Sequence, residues 1–387
     1  MHMQNGERRK SLSDVEATDM KVTMLSNSKG GVFTVTMQWA KGLARKGCDV
    51  KIFFLTKSRE ARHLVSSERI HFYYFTTSFF LPNLRALITF LTHDNPDVIH
   101  INFAWFAPLA IFKKCMFKTP FVYTLHGLPQ PWLEPSLLYK ILYSAEECLL
   151  PFCASQASAV VAVSNYVKEV LKERHGIDSE VIYHGIEADR FKPKNKTRSK
   201  RELGYKETDF IVLFVGKMHP YKDPLTLIKA ISVAVKKNAN LHLVMIGDGE
   251  LYTEVEKEIF KLNYSNHVRL FRRVDNQTLE TLYDAADMFV LPSVNEAFGM
   301  VLLEAMASGL PIIASNSGAC PEIIGNVGVL FNQGDHIDLA EKMITLSSDK
   351  SLSRKLSKAC LKQVKEEFCW KDKIDQYWEL YKIMMQH

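Results

Sequence analysis

Residues 292–311 read PSVNEAFGMVLLEAMASGLP. The stretch lies between two short apolar runs, MFVLPS at 288–293 and LPIIAS at 310–315, that read as strands. Gly299 lets the backbone turn into a helix that ends near Gly309. Strand, loop, helix and strand in that order make one unit of a parallel sheet covered on both faces. Ligands in open sheets of this kind sit beyond the carboxyl ends of the strands, so the loop at 294–299 is where chemistry is expected. Phe298, Gly299, Met300 and Val301 are placed to present free amides to a phosphate. Glu304 follows a little over one turn later, at about 1.5 Å per residue, where a ribose beside that phosphate would lie. A carboxylate there can accept both ribose hydroxyls, and Glu296, just before the turn, reaches toward a transferred sugar. Two ordinary glutamates on a surface helix would explain the spacing alone, but not the spacing inside this flanking sequence.

The same grammar extends in both directions. Upstream in the same half, DFIVLFVG, LHLVMIG and VRLF read as strands separated by helical segments. From Met20 onward the order also holds: KVTMLS is a strand, residues 32–46 a helix and KGCDVKIFFL the next strand. RIHFYYF, DVIHINF, PFVYTL, AVVAVS and EVIYH follow. Between the two series lies 192–200, KPKNKTRSK, which is basic, holds a proline and has no apolar residue, so it reads as a linker. The expected layout is a disordered tail at 1–19, an α/β domain at 20–191 and the linker at 192–200. A second α/β domain at 201–366 and a terminal helix at 367–387 complete it. Trp370, Ile374, Tyr377 and Tyr381 form one stripe on that helix, whose expected cover is the first domain.

Three other loops after strands carry candidate chemistry. In SNSKGGVFT, Gly30 and Gly31 precede a helix N-terminus and allow a ligand close, although a tight turn explains them equally well. The pattern is not G-x-G-x-x-G, which disfavours a nicotinamide cofactor. In YTLHGLP, His126 follows a strand directly and is placed to hydrogen-bond a sugar hydroxyl or a phosphate; nearby backbone is the competing partner. In VGKMHPYKDP, Asp223 is a good N-cap and Pro224 a good first helical residue. Lys222 then sits at a helix N-terminus with Lys217 in the same loop, two ammonium groups that repel unless an anion such as a diphosphate joins them.

The totals agree. A chain of 387 residues is too long for one core and suits two domains. Hydrophobic residues at 47% and charged residues at 24% describe a soluble globular protein without a run of about 18 apolar residues. The polar opening residues lead us to expect no secretory signal, and seven dispersed cysteines without C-x-x-C suggest reduced thiols in the cytoplasm. The net charge of +6 suits an anionic small molecule or a membrane surface as well as plain solubility; no nucleic-acid partner is expected.

Taken together, these residues resemble the family-four glycosyltransferases of the GT-B fold, two Rossmann-like domains facing across a cleft. The resemblance runs from Met20 to the carboxyl terminus and is densest over 210–331, where FVGKMHPYKDP, VMIGDGE and SGACPEIIGNVGVLF flank the opening stretch in the family's order. It implies transfer of a hexose from a UDP- or GDP-sugar to an acceptor hydroxyl, with retention at the anomeric carbon, in glycan, glycolipid or polysaccharide biosynthesis. No cofactor or metal is implied, and an inactive scaffold that binds nucleotide sugar is the alternative. By the resemblance Lys217 and Lys222 hold the diphosphate, Glu296 meets the donor sugar and Glu304 the ribose. Gly30 and Gly31 face phosphate and acceptor, His126 lies near the anomeric centre and Gly318 belongs to a donor-side loop. His126, Lys222 and Glu296 are thus the expected catalytic set. Lys217 stands where arginine is usual, Ala319 where a second glycine is common, and Arg272 where a glycine borders the base pocket. The acceptor is left open between a glycan, a lipid-linked molecule and a small molecule, with peripheral attachment to the inner membrane face as one option. The aromatic stretch 72–91 reads either as core strand and helix or as a surface that greets a lipid-linked acceptor.

Overall fold

The computed structural model describes residues 20–27, 30–56, 67–76, 88, 90–91, 95–102 and 104–386. The expected tail at 1–19 and most of the aromatic stretch beyond Thr76 lie outside the described residues. Of that stretch, residues 72–76 belong to a strand and Phe90 is fully buried.

Two parallel sheets carry the fold. The first comprises β1 (Lys21–Asn27), β2 (Asp49–Thr56), β3 (Ile70–Thr76), β4 (Val98–Ile101), β5 (Phe121–Leu125), β6 (Ala159–Ala162) and β7 (Glu180–Val181). Its order is β3-β2-β1-β4-β5-β6-β7. The second comprises β8 (Phe210–Val215), β9 (Leu241–Ile246), β10 (Val268–Phe271), β11 (Met288–Leu291), β12 (Ile312–Ser315) and β13 (Val329–Phe331). It runs β10-β9-β8-β11-β12-β13, the doubly wound order in which the chain reverses direction beside its first strand. Strands buried on both faces are largely apolar, and β4, β5, β11 and β12 are buried at every position, with their polar His100, Thr124 and Ser315 hydrogen-bonded in the interior. The three-residue β13 is too short to show a period, and the sequence reading passed over it.

Helices α1 (Gly30–Arg45), α2 (Ala107–Phe117), α3 (Leu137–Gln156) and α4 (Asn165–His175) connect the first sheet. The short α5 (Ala188–Phe191) and α6 (Lys196–Glu202) follow it. In the second sheet's half lie α7 (Pro224–Ala234), α8 (Tyr252–Lys261), α9 (Asn276–Ala285), α10 (Met300–Ala307), α11 (Cys320–Ile324), α12 (His336–Ser348) and α13 (Lys350–Glu367). The last helix is α14 (Trp370–Met385). Residues 192–200, read as a linker, thus contain most of α6. Asn195 caps that helix by accepting from the Arg198 amide at 3.0 Å. Asp284 on α9 receives the amides of Lys194 and Asn195, which ties the segment to the second sheet's flank.

The chain crosses between sheets twice, side by side. The outward crossing at Ile186 pairs with the return at Cys369, and the Ile186 amide donates to the Phe368 carbonyl at 3.0 Å. A Cβ on Gly185 would stand 2.7 Å from the Trp370 backbone, so only glycine permits this approach. After the return, α14 packs on α1 and buries Ile374, Tyr377 and Tyr381. Burial of that stripe leaves two phenols needing partners. Tyr381 meets the imidazole of His100, and Tyr377 meets Thr124 Oγ1 at 3.2 Å.

Candidate active site

A cleft of about 440 Å3 opens between the carboxyl ends of the two sheets. Gly30, Gly31, Asn102 and His126 line it from the first sheet, and His219, Tyr221 and Glu296 from the second. Gly30 has φ 76°, and a Cβ on either Gly30 or Gly31 would touch nothing within 4 Å, so the start of α1 faces open space.

Glu296 sits on a short backbone run gripped from three sides. The Asn295 carbonyl accepts from Gln130 Nε2 at 3.1 Å, and the Ala297 carbonyl from Ser164 Oγ at 2.7 Å, both donors belonging to the first domain. Between them the Glu296 carbonyl accepts the Ala319 amide at 2.7 Å. Gly318 presses so close that a Cβ there would lie 2.4 Å from both the nitrogen and the oxygen of Glu296. Gly318, expected on a donor-side loop, is thus required here to brace the Glu296 backbone.

The lysines are not left to repel each other. Lys222 ends a 3-10 turn, Pro220–Lys222, and Asp223 then takes φ 44° and caps α7 through the Thr226 amide at 3.3 Å. The Lys222 ammonium is paired with Glu296 Oε2, each side chain only 11% exposed. Burial alone would pull the ammonium pKa down, but the adjacent Glu296 carboxylate outweighs it and raises the pKa, so Lys222 stays charged. Lys217 is more exposed and pairs with Glu250 at 3.2 Å. The expected electrostatic demand for an anion is therefore already met by two carboxylates. Arg272 pairs with Asp248 at 2.7 Å and lies over the Tyr252 ring.

Gly299 takes φ 84° and opens α10 with no side-chain cap, which leaves the first-turn amides at Met300 and Val301 for a ligand or water. The Phe298 side chain, by contrast, is buried edge-on against His184. Glu304 is held behind this helix start by the Tyr283 hydroxyl, which donates to Oε2 at 2.7 Å. Burial pushes its carboxyl up to about 7, against the opposing effects of the Tyr283 bond and Arg190.

Both ring nitrogens of His126 are engaged by protein. Asn102 Nδ2 donates to Thr36 Oγ1 at 3.2 Å, which turns its Oδ1 toward His126. His126 Nε2–H then donates to that oxygen at 3.1 Å, and its bare Nδ1 accepts from His184 Nε2–H at 3.4 Å. Among the described residues, His184 Nδ1 is buried without a partner. Burial lowers the His126 pKa to about 3, so the ring is neutral and is not a proton donor near neutrality. The expected contact of this imidazole with a sugar needs a rearrangement of the pair, or falls to the backbone beside it. His184 is missing from the sequence reading although its signal is the same: VIYHG repeats the strand-His-Gly pattern of YTLHG.

A second residue missed by the sequence reading is Glu322 on α11, whose carboxylate collects donors from the first domain. Oε1 accepts the Asn165 amide at 2.7 Å, Asn165 Nδ2 at 2.8 Å and the Tyr183 hydroxyl at 2.6 Å. Oε2 accepts the Tyr166 amide at 3.0 Å. Two of these donors are first-turn amides of α4, so Glu322 caps a helix of the opposite domain. Bonds to a charged group contribute roughly 1.5–3 kcal/mol each. Glu322→Ala should accordingly loosen the cleft: we expect a larger radius of gyration by solution X-ray scattering. An unchanged scattering curve would show that Glu322 does not hold the domains together.

Two family models match successive parts of the chain: Glycosyltransferase Family 4 over residues 29–190 and Glycosyl transferases group 1 over residues 195–363. The chain is 27% identical to N-acetyl-alpha-D-glucosaminyl L-malate synthase of Bacillus anthracis, covering 92% of this chain and 94% of that enzyme. Sucrose-phosphate synthase of Thermosynechococcus elongatus superposes with a TM-score of 0.80 at 20% identity, over 95% of this chain and 99% of the other. Anabaena HepE, solved with UDP and glucose, gives a TM-score of 0.80 at 21% identity, over 94% and 99% of the two chains. These superpositions establish the fold, two Rossmann-like domains in the GT-B arrangement.

Proposed function

The chain belongs to the family-four, group 1 glycosyltransferases of the GT-B fold, and we propose that it moves a hexose from a UDP- or GDP-sugar to an acceptor hydroxyl with retention. The observation that carries this reading is the Lys222–Glu296 pair, whose Glu296 lines the cleft between the domains; the uncapped start of α10 and then Glu304 follow Glu296 in the chain. A donor diphosphate entering there competes with Glu296 for the Lys222 ammonium. As the phosphate takes the ammonium, the Glu296 carboxylate is released to accept hydroxyls of the sugar. The α10 amides and Lys222 then stabilise negative charge on the departing diphosphate, the position at which electrostatic help lowers the barrier most. The acceptor attacks from the face the diphosphate leaves, and the leaving phosphate takes its proton, so no side-chain nucleophile is needed. A neutral His126, held by Asn102 and His184, shapes the cleft wall without moving a proton. HepE was solved with UDP and glucose, which supports a nucleotide-sugar donor for this related fold. In this reading the acceptor is a glycan, a lipid-linked molecule or a small molecule, and transfer takes place in the cytoplasm, with peripheral attachment to the inner membrane face as one option. Among the described residues no helix is long and apolar enough to cross a membrane.

Two expected results test the reading. Transfer needs no divalent metal, because the chain has no D-x-D triplet and Lys222 with the helix amides supplies the positive charge. Turnover in excess EDTA should therefore match the untreated rate; complete loss restored by magnesium or manganese would refute this. Nucleotide affinity should also rise with pH. Glu304 titrates near 7 and only its carboxylate accepts both ribose hydroxyls, so binding gains about tenfold between pH 6 and 8. Glu304→Gln should flatten that dependence, and a slope unchanged in the variant would place its origin elsewhere.

A further inference from the structure

Exposed large hydrophobic side chains are unevenly spread over this protein. Among the described residues, ten of the fifteen fall between Phe112 and Phe152, on α2, α3 and the turn that precedes α3. Single apolar residues on a surface need no explanation, but a concentration of them marks a binding surface. Between the two helices lies a pocket of about 500 Å3, walled by Trp105, Pro108, Phe112, Cys115, Leu149 and Phe152. That volume is within the range of small-ligand sites.

The pocket continues toward the cleft. Glu146 lines both, and it is the single ionisable carboxyl in the pocket wall. Burial pushes that carboxyl up to about 7, which lowers its charge beside an apolar ligand. Helix α2 has no acidic residue; its Lys113 and Lys114 turn their ammonium groups to the Leu91 and Gln156 carbonyls, and Lys118 follows its end. Lys118 and Lys140 are exposed, a placement that suits the anionic head of a lipid or an anionic bilayer surface. A small polar acceptor would use none of these features. A molecule with a hydrocarbon tail and a hydroxyl-bearing head uses both cavities, the tail in the pocket and the head past Glu146 in the cleft.

We propose that the α2–α3 pocket binds the hydrocarbon chain of a lipid acceptor whose head group enters the cleft. This rests on the cleft being the site of transfer. The test uses the full chain and n-alkyl maltosides of eight, ten and twelve carbons, below their micelle concentrations, with maltose as the chainless control. Binding is followed by tryptophan fluorescence. Maltose should not bind, and each two added carbons should strengthen binding roughly tenfold, as burial of two methylenes implies. Cys115→Trp, which fills the pocket from an exposed position, and Phe152→Glu should each remove the chain-length dependence. Both variants should keep the parent's affinity for UDP or GDP, which shows that they fold. Affinity independent of chain length, or unaffected by Cys115→Trp, would overturn the proposal. So would a dimer that Phe152→Glu dissociates, since the face would then belong to a second copy. Chain binding in a protein that binds neither nucleotide would separate the pocket from the transfer site and overturn the acceptor assignment.

Discussion

Glu304→Ala is expected to weaken binding of the free nucleoside diphosphate by about ten- to a thousandfold while the protein stays folded. The range runs from roughly 1.5 kcal/mol for one charge-assisted bond to the ribose to about 4 kcal/mol for two of ordinary strength, at about 1.4 kcal/mol per tenfold. One carboxyl oxygen already accepts from Tyr283, so the substitution also leaves that buried phenol without its acceptor. The structural cost of such an orphan is roughly 1–3 kcal/mol, which lowers the melting temperature without abolishing folding. Glu304→Gln separates the two effects, because it keeps an acceptor for Tyr283 and removes only the charge. Calorimetry on both variants decides the matter. If Glu304→Ala binds nucleotide as the parent does, the carboxylate serves only to hold Tyr283 and the ribose assignment fails.

Glu296→Ala should do the reverse: transfer falls by about a hundred- to a thousandfold while free nucleotide still binds. Losses of that size follow removal of one group aimed at the reacting centre. The pairing seen in the structure adds a further expectation. Removing one partner of a buried ion pair is strongly destabilising, roughly 3–5 kcal/mol when burial is complete and less at the 11% exposure of this pair. The unligated variant should therefore melt below the parent. Nucleotide should then recover more stability in the variant than in the parent, because its diphosphate supplies the anion Lys222 has lost. If nucleotide binding collapses along with transfer, Glu296 holds the phosphate site together, and its assignment to the sugar is wrong.

The loop and helix proposed to hold the donor were readable because their residues are neighbours in sequence. Glu296, Gly299 and Glu304 lie on one loop and the helix that follows it, so the spacing along the chain is also the spacing in space. The strands were readable for a similar reason: buried parallel strands are short apolar runs, and only β13 was too brief to register. What the sequence could not display was pairing across distance. Glu250 meets Lys217 from 33 positions away, and Glu322 meets Asn165 from 157. Neither glutamate carries a local mark of its partner. The bracing of Glu296 by Gly318 was equally hidden, because a glycine selected by contact with another backbone looks the same as one that admits a ligand. His184 is a different kind of omission. Its strand-His-Gly pattern was present and was used only at His126.

Every step of the proposed transfer depends on donor binding at the second domain. A calorimetric panel of UDP-, GDP- and ADP-sugars against the full chain at pH 8 tests it most directly, since Glu304 is then ionised. The predicted result is saturable one-site binding of a UDP- or GDP-sugar. It should be weakened at least about tenfold by Glu304→Ala. Absence of binding by every member of the panel, or binding that ignores Glu304→Ala, would contradict it.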